Sequence, residues 1–154
     1  MPFKIFLPCL FNSQNFKLKL VYMNTASALK FIGNIHSSLK KVEDCPLQET
    51  EDAPEATIEI YPEFLEGIKD IDPGSRILLF TWLHEADRTV ISCVTRKNYN
   101  SPIMGVFSTR SPDRPNPIGL HSVKVLSVEN NLIKVSALEV LDQTPLLDIK
   151  PDLN

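Results

Sequence analysis

The chain has 154 residues, 43% hydrophobic and 23% charged, with a formal net charge of −3. That is one soluble globular domain's worth, long enough to bury a core. Its five glycines form no Gly-x-Gly-x-x-Gly or Gly-x-x-x-x-Gly-Lys, which argues against a Rossmann or P-loop nucleotide site. Its three scattered cysteines argue against a disulfide framework or zinc site and fit a reducing cytoplasm.

The net charge hides a split. Residues 43–72 carry eleven acids against one base, Lys69, whereas residues 76–124 carry seven bases against three acids. A polarised surface of this kind offers RNA one basic face, although an acidic chain is not an obvious nucleic-acid binder.

In chain order, residues 1–22 come first. Phe3 to Phe11 is apolar but interrupted by Lys4 and Pro8, and is too short to span a membrane. The only Ala-x-Ala, Ala26 to Ala28, lies too far beyond it for signal cleavage. Residues 1–22 are therefore expected to be an extension outside a domain covering 23–154. Leu29 to Ile35 alternates and is rich in strand formers, and residues 37–55 read as a polar loop. Ala56 to Ile60 is a short strand. Pro62 then opens a short helix with Tyr61, Leu65 and Ile68 on one face and Glu63 at its positive end. Asp72-Pro73-Gly74 is a turn. Arg76 to Leu83 is a continuous apolar run, a buried strand. Thr89 to Thr95 reads as the next strand, with Cys93 as a small core residue.

Gly105-Val-Phe-Ser-Thr-Arg110-Ser-Pro-Asp-Arg114-Pro-Asn116-Pro-Ile-Gly-Leu120 is the most informative stretch. It begins like a strand at Val106 and Phe107, then breaks into a loop stiffened by Pro112, Pro115 and Pro117. Arg110 and Arg114 stand on that loop beside Asn116. A guanidinium on a pre-ordered backbone suits a carboxylate or phosphate. Exposed arginines are usually no more than solvated, but a solvated turn does not need so many special residues together. Leu120 to Val128 and Leu132 to Leu138 alternate as strands around an Asn130-Asn131 turn. Several short strands at near-regular spacing predict a mainly β fold, a small closed barrel with one or two short helices. His36, His84 and His121 have no metal-like spacing. Asp142-Gln143-Thr144-Pro145 reads as a tight turn whose Asp and Thr cap backbone amides.

The string from Gly105 to Leu120 resembles the signature of the TsaA-like family, TrmO-type tRNA methyltransferases that use S-adenosylmethionine. Phe31 to Ser37, Cys45-Pro46-Leu47-Gln48, Ala56 to Glu63, Trp82-Leu83-His84, Leu141 to Pro145 and Leu147 to Pro151 are similar to further family segments, in the same order. The resemblance implies a TsaA-like β-barrel and S-adenosyl-L-methionine as cofactor. It implies a cofactor-binding set of Pro46, Leu47, Gln48, His84, Glu85, Arg110, Leu120, Asp142, Gln143, Thr144 and Pro145. Arg114, Asn116 and Lys124 are candidate tRNA contacts, and Asp142 the candidate catalytic group. The implied reaction is methylation of the exocyclic amine of threonylcarbamoyl-adenosine next to the tRNA anticodon, by a cytoplasmic homodimer with no metal and no membrane association. Another acceptor, or a non-catalytic cofactor-binding module, remain alternatives. Two departures stand out: Leu47 occupies a position where relatives often carry a basic residue, and the chain stops at Asn154 where relatives continue.

Overall fold

The computed structural model describes residues 28–47, 50–94 and 100–153. Those from Phe31 onward group as one unit. Eight strands run through it: β1 (Gly33–His36), β2 (Ala56–Ile60), β3 (Arg76–Trp82), β4 (Ser92–Cys93), β5 (Met104–Gly105), β6 (Ile118–Glu129), β7 (Leu132–Val135) and β8 (Thr144–Pro151). Six of them pair antiparallel in the order β1-β2-β7-β6-β3-β8, and β8 returns to β1, so the ring of pairings closes on itself. Closure leaves no open edge among these six.

The period of two along the strands decides which side chains enter the ring. Ile58 and Ile60 of β2, Ile77 and Leu79 of β3, Val123 and Val125 of β6, Ile133 and Val135 of β7 and Leu146 of β8 are all buried. Leu138 and Val140, on the link from β7 to β8, complete the same cluster. Gly33 is required where β1 meets β2, because a Cβ there would collide with the Glu59 carbonyl oxygen.

Several expectations are corrected. The helix after Pro62 is a 3₁₀ turn, Pro62–Ile68, whose inner face is Phe64 and Ile68, with Ile71 just beyond it packed on the same core. Leu65 points outward, because tighter winding rotates it away from the α-helical stripe. Thr89 to Thr95 is not a ring strand. Asp87 accepts hydrogen bonds from Thr89 N (2.8 Å) and Oγ1 (2.7 Å), which locks a turn there. Only Ser92–Cys93 remains extended, paired with β5 as a two-stranded ribbon. Cys93 is half-buried beside Thr109 Oγ1, outside the ring's core, and Thr95 lies outside the described residues. Val106 and Phe107 belong to a 3₁₀ turn, Val106–Ser108, with Val106 buried and Phe107 exposed. β8 is a strand although Pro145 and Pro151 argue locally against one. Both are tolerated, because Pro145 has a paired neighbour only in β1 and Pro151 is the last residue of the strand.

Candidate cofactor site

One end of the ring is polar. Thr81 of β3 and His121 of β6 point inward there, and Glu139 reaches them from the β7–β8 link. Thr81 Oγ1 lies 2.9 Å from His121 Nε2, and His121 Nδ1 lies 2.7 Å from Glu139 Oε1. An ionised carboxylate only accepts, so Nδ1–H donates to Glu139, while Nε2 accepts from the Thr81 hydroxyl in the neutral ring and donates to it in the imidazolium. Gly119 leaves room for this row, as a Cβ at that position would press on both Thr81 Oγ1 and His121 Nε2. Burial pushes the Glu139 carboxyl up, but the hydrogen bond and charge of His121, with the charge of Arg110, outweigh it and hold Glu139 below the usual value.

The expected cofactor segments approach this end. The Cys45 thiol is pushed up by burial first, then by the charges of Asp44, Glu139, Glu43 and Glu85. Those influences put the Cys45–Leu47 loop, the His84–Glu85 turn and the β7–β8 link within electrostatic reach of one another, while Arg110 acts on Glu139 from the proline loop. His84, Glu85, Arg110 and Leu120 are exposed, and Pro46 is half-buried. Gln48 lies outside the described residues.

The arginine loop is fastened from within. Arg114 donates from Nε to Ser111 O (2.8 Å) and from Nη2 to Thr109 O (2.6 Å) and Val106 O (3.3 Å). Arg88 Nε donates to Pro115 O (3.1 Å), with its guanidinium 5.3 Å from the Trp82 ring centre. Leu83 N donates to Pro117 O (2.9 Å), and Asp113 Oδ1 accepts from Asp87 N (2.8 Å). The loop after β3 and the proline loop are therefore tied as one piece. Arg110 follows a 3₁₀ turn, not a strand, and its side chain remains on the surface.

The Asp142–Pro145 turn is equally committed. Asp142 Oδ1 accepts from Ser37 N (3.0 Å), and Oδ2 pairs with Lys40 Nζ (2.7 Å). The Lys40 hydrogen bond is the main reason its carboxyl sits below the usual value. Both oxygens are spent on holding the Ser37–Lys40 segment, which makes Asp142 a poor proton acceptor. Gln143 takes a positive φ of 63°, and its Nε2 donates to His36 Nδ1 (3.1 Å), while His36 Nε2 donates to Glu59 Oε2 (2.7 Å). Thr144 is buried, and Pro145 pairs with Asn34.

Lys124 is not brought to this end. It pairs with Arg76, six strand positions from Ile118, or roughly 20 Å at about 3.3 Å per residue. Asn116 is exposed on the proline loop. A separate groove of about 320 Å³, lined by Ile32, Phe64, Gly67, Asp148 and Ile149 among others, contains none of the expected cofactor residues.

The model of the tRNA-methyltransferase O N-terminal domain matches residues 34–154. This chain belongs to that family. A probable S-adenosyl-L-methionine-binding protein of Pyrococcus abyssi is 40% identical over 121 residues, covering 78% of this chain and 65% of the relative. The probable S-adenosyl-L-methionine-binding protein VirR of Rhizobium radiobacter is 41% identical over 126 residues, 82% of this chain and 71% of its own. The crystal structure of TrmO from Pseudomonas aeruginosa superposes with a TM-score of 0.66 at 30% identity, covering 82% of this chain and 55% of that one. The chain thus spans under two thirds of the Pyrococcus relative and little more than half of the solved methyltransferase. Within this family member, Thr81, His121 and Glu139 are the residues that sequence reasoning missed. The available signal was polarity at inward strand positions, since Thr81 and His121 sit where the period of two calls for apolar side chains.

Proposed function

We propose that this chain binds S-adenosyl-L-methionine at the polar end of the ring and transfers its methyl group to the exocyclic amine of threonylcarbamoyl-adenosine next to a tRNA anticodon, in the cytoplasm. The observation that carries this reading is the hydrogen-bonded row Thr81–His121–Glu139 at the polar end of the ring, with Glu139 three residues before the Asp142–Pro145 turn. The charges of Glu139 and Glu85 reach the Cys45 thiol, and that of Arg110 reaches Glu139. Membership of the methyltransferase family and relatives named for S-adenosylmethionine support it. Arg110 is the cofactor-side arginine. Asn116 and the backbone that Arg114 braces face the RNA.

Methyl transfer from a sulfonium asks little of side chains. Bound S-adenosylmethionine would supply an electrophilic methyl group, which the acceptor nitrogen would take in line, an N–C bond forming as the C–S bond breaks with the electron pair left on sulfur. The acceptor nitrogen then sheds a proton to water. Alignment supplies most of the rate, so a site without a free base is compatible with the chemistry. Among the described residues, no helix is long and apolar enough to cross a membrane.

The ribbon of β4 and β5 supports a homodimer. Ile91, Ile103 and Phe107 around it are 72%, 74% and 80% exposed, a cluster that suits burial against a second copy.

Purified protein incubated with tRNA and methyl-labelled S-adenosylmethionine tests the reading, by mass spectrometry of the digested nucleosides. Methylated threonylcarbamoyl-adenosine is expected. Label in another nucleoside would change the acceptor, and cofactor binding without transfer would leave a binding module.

A further inference from the structure

Glu139 is only half used. Its Oε1 is held by His121, while Oε2 is buried without a hydrogen-bond partner. A buried carboxylate oxygen left unpaired is costly and rare in folded proteins. Yet the surrounding row is built to hold it in place: Thr81 fixes His121, His121 fixes Oε1, and Gly119 clears the space. The Glu139 side chain keeps 15% of its surface exposed. Arg110 acts on it through its charge, although the two form no direct ion pair.

We infer that Glu139 receives the amino end of an α-amino-acid head group, with Oε2 accepting from the α-ammonium. A fixed carboxylate with one oxygen left over matches a cation that brings its own N–H donors. The inference rests on the proposed binding of S-adenosylmethionine and assigns the seat of its methionine end.

Two other uses of Oε2 fit less well. As a proton acceptor it would need a raised affinity for protons, whereas His121 and Arg110 keep it ionised. As a metal ligand it would need companions, and among the described residues no three His, Cys, Asp or Glu side chains gather to hold an ion.

Calorimetric titration of the full chain tests this with two ligands, S-adenosylhomocysteine and its analogue lacking the α-amino group. Glu139→Gln is expected to weaken S-adenosylhomocysteine about tenfold or more and to leave the desamino analogue within about twofold. Equal losses for both ligands would overturn the inference, because a merely structural role lowers both alike. Unchanged affinity for S-adenosylhomocysteine would overturn it too. If Glu139→Gln melts abnormally, Glu139→Asp, which keeps the charge but withdraws the oxygen by one methylene, carries the same comparison. Wild-type protein that binds neither ligand would instead remove the S-adenosylmethionine reading, and this inference with it.

Discussion

At the scale of single residues, Arg110 and Arg114 look interchangeable in the sequence and differ in what their guanidinium groups do. Arg114 makes three hydrogen bonds to backbone carbonyls of its own loop, whereas Arg110 is exposed. Arg110→Ala is therefore expected to weaken S-adenosylmethionine about tenfold or somewhat more, the effect of losing one charged hydrogen bond of about 1.5–3 kcal/mol. Arg114→Ala should lower the melting temperature by several degrees, and its effect on cofactor affinity should be smaller. Equal cofactor losses in the two variants, measured by calorimetry, would show that the assignment is wrong. Gly119 is a second test at this scale. A methyl group there meets Thr81 Oγ1 and His121 Nε2, both fixed by hydrogen bonds inside the ring. Gly119→Ala is expected to cost about 1–3 kcal/mol, as overpacking of a filled interior does, read from urea unfolding. A midpoint unchanged from wild type would mean that the row can shift at no cost.

At the scale of elements, strands with a clear apolar pattern were legible, and the strand whose own residues argue locally against one was not. β2 follows Ala56–Ile60 as read, and β3 ends one residue early. β8 was hidden because Pro145 and Pro151 argue locally against a strand, and only the positions of β1 and β3 decide otherwise. Thr89 to Thr95 failed for the opposite reason: apolar, β-branched residues promise a strand, but the Asp87 turn and the lack of a ring neighbour leave two residues paired. The site was legible as segments, through the resemblance, and not as geometry. Glu139 lies in Ala-Leu-Glu-Val-Leu with nothing local to single it out. The link carrying Glu139 and Asp142 also predicts a pH effect. Both carboxyls are held below their usual values of 4.5 and 3.8, so each contributes stability at neutral pH that is lost as pH falls through its folded-state value. Between neutral pH and about pH 4, the stability of wild type in urea should fall more than that of Glu139→Gln. Equal slopes would show that the His121 contact does not favour the charged form.

At the scale of the whole molecule, closing a six-stranded ring consumes the strand edges but leaves the β4–β5 ribbon with exposed apolar side chains. Phe107 is the sharpest probe of what covers it. At 80% exposure it contributes almost nothing to the folded subunit, so replacing it tests association without touching the core. In an isologous dimer each substitution counts twice. Burying a Phe side chain is worth about 1.5–3 kcal/mol, so if it is covered, Phe107→Ser removes roughly 3–6 kcal/mol from a dimer, enough to raise the dissociation constant more than a hundredfold. Light scattering at micromolar concentration is therefore expected to give a dimer for wild type and a monomer for Phe107→Ser, with little change in the unfolding free energy of the isolated subunit. A wild-type monomer would remove the proposed dimer. A Phe107→Ser dimer as tight as wild type would move the contact away from the ribbon.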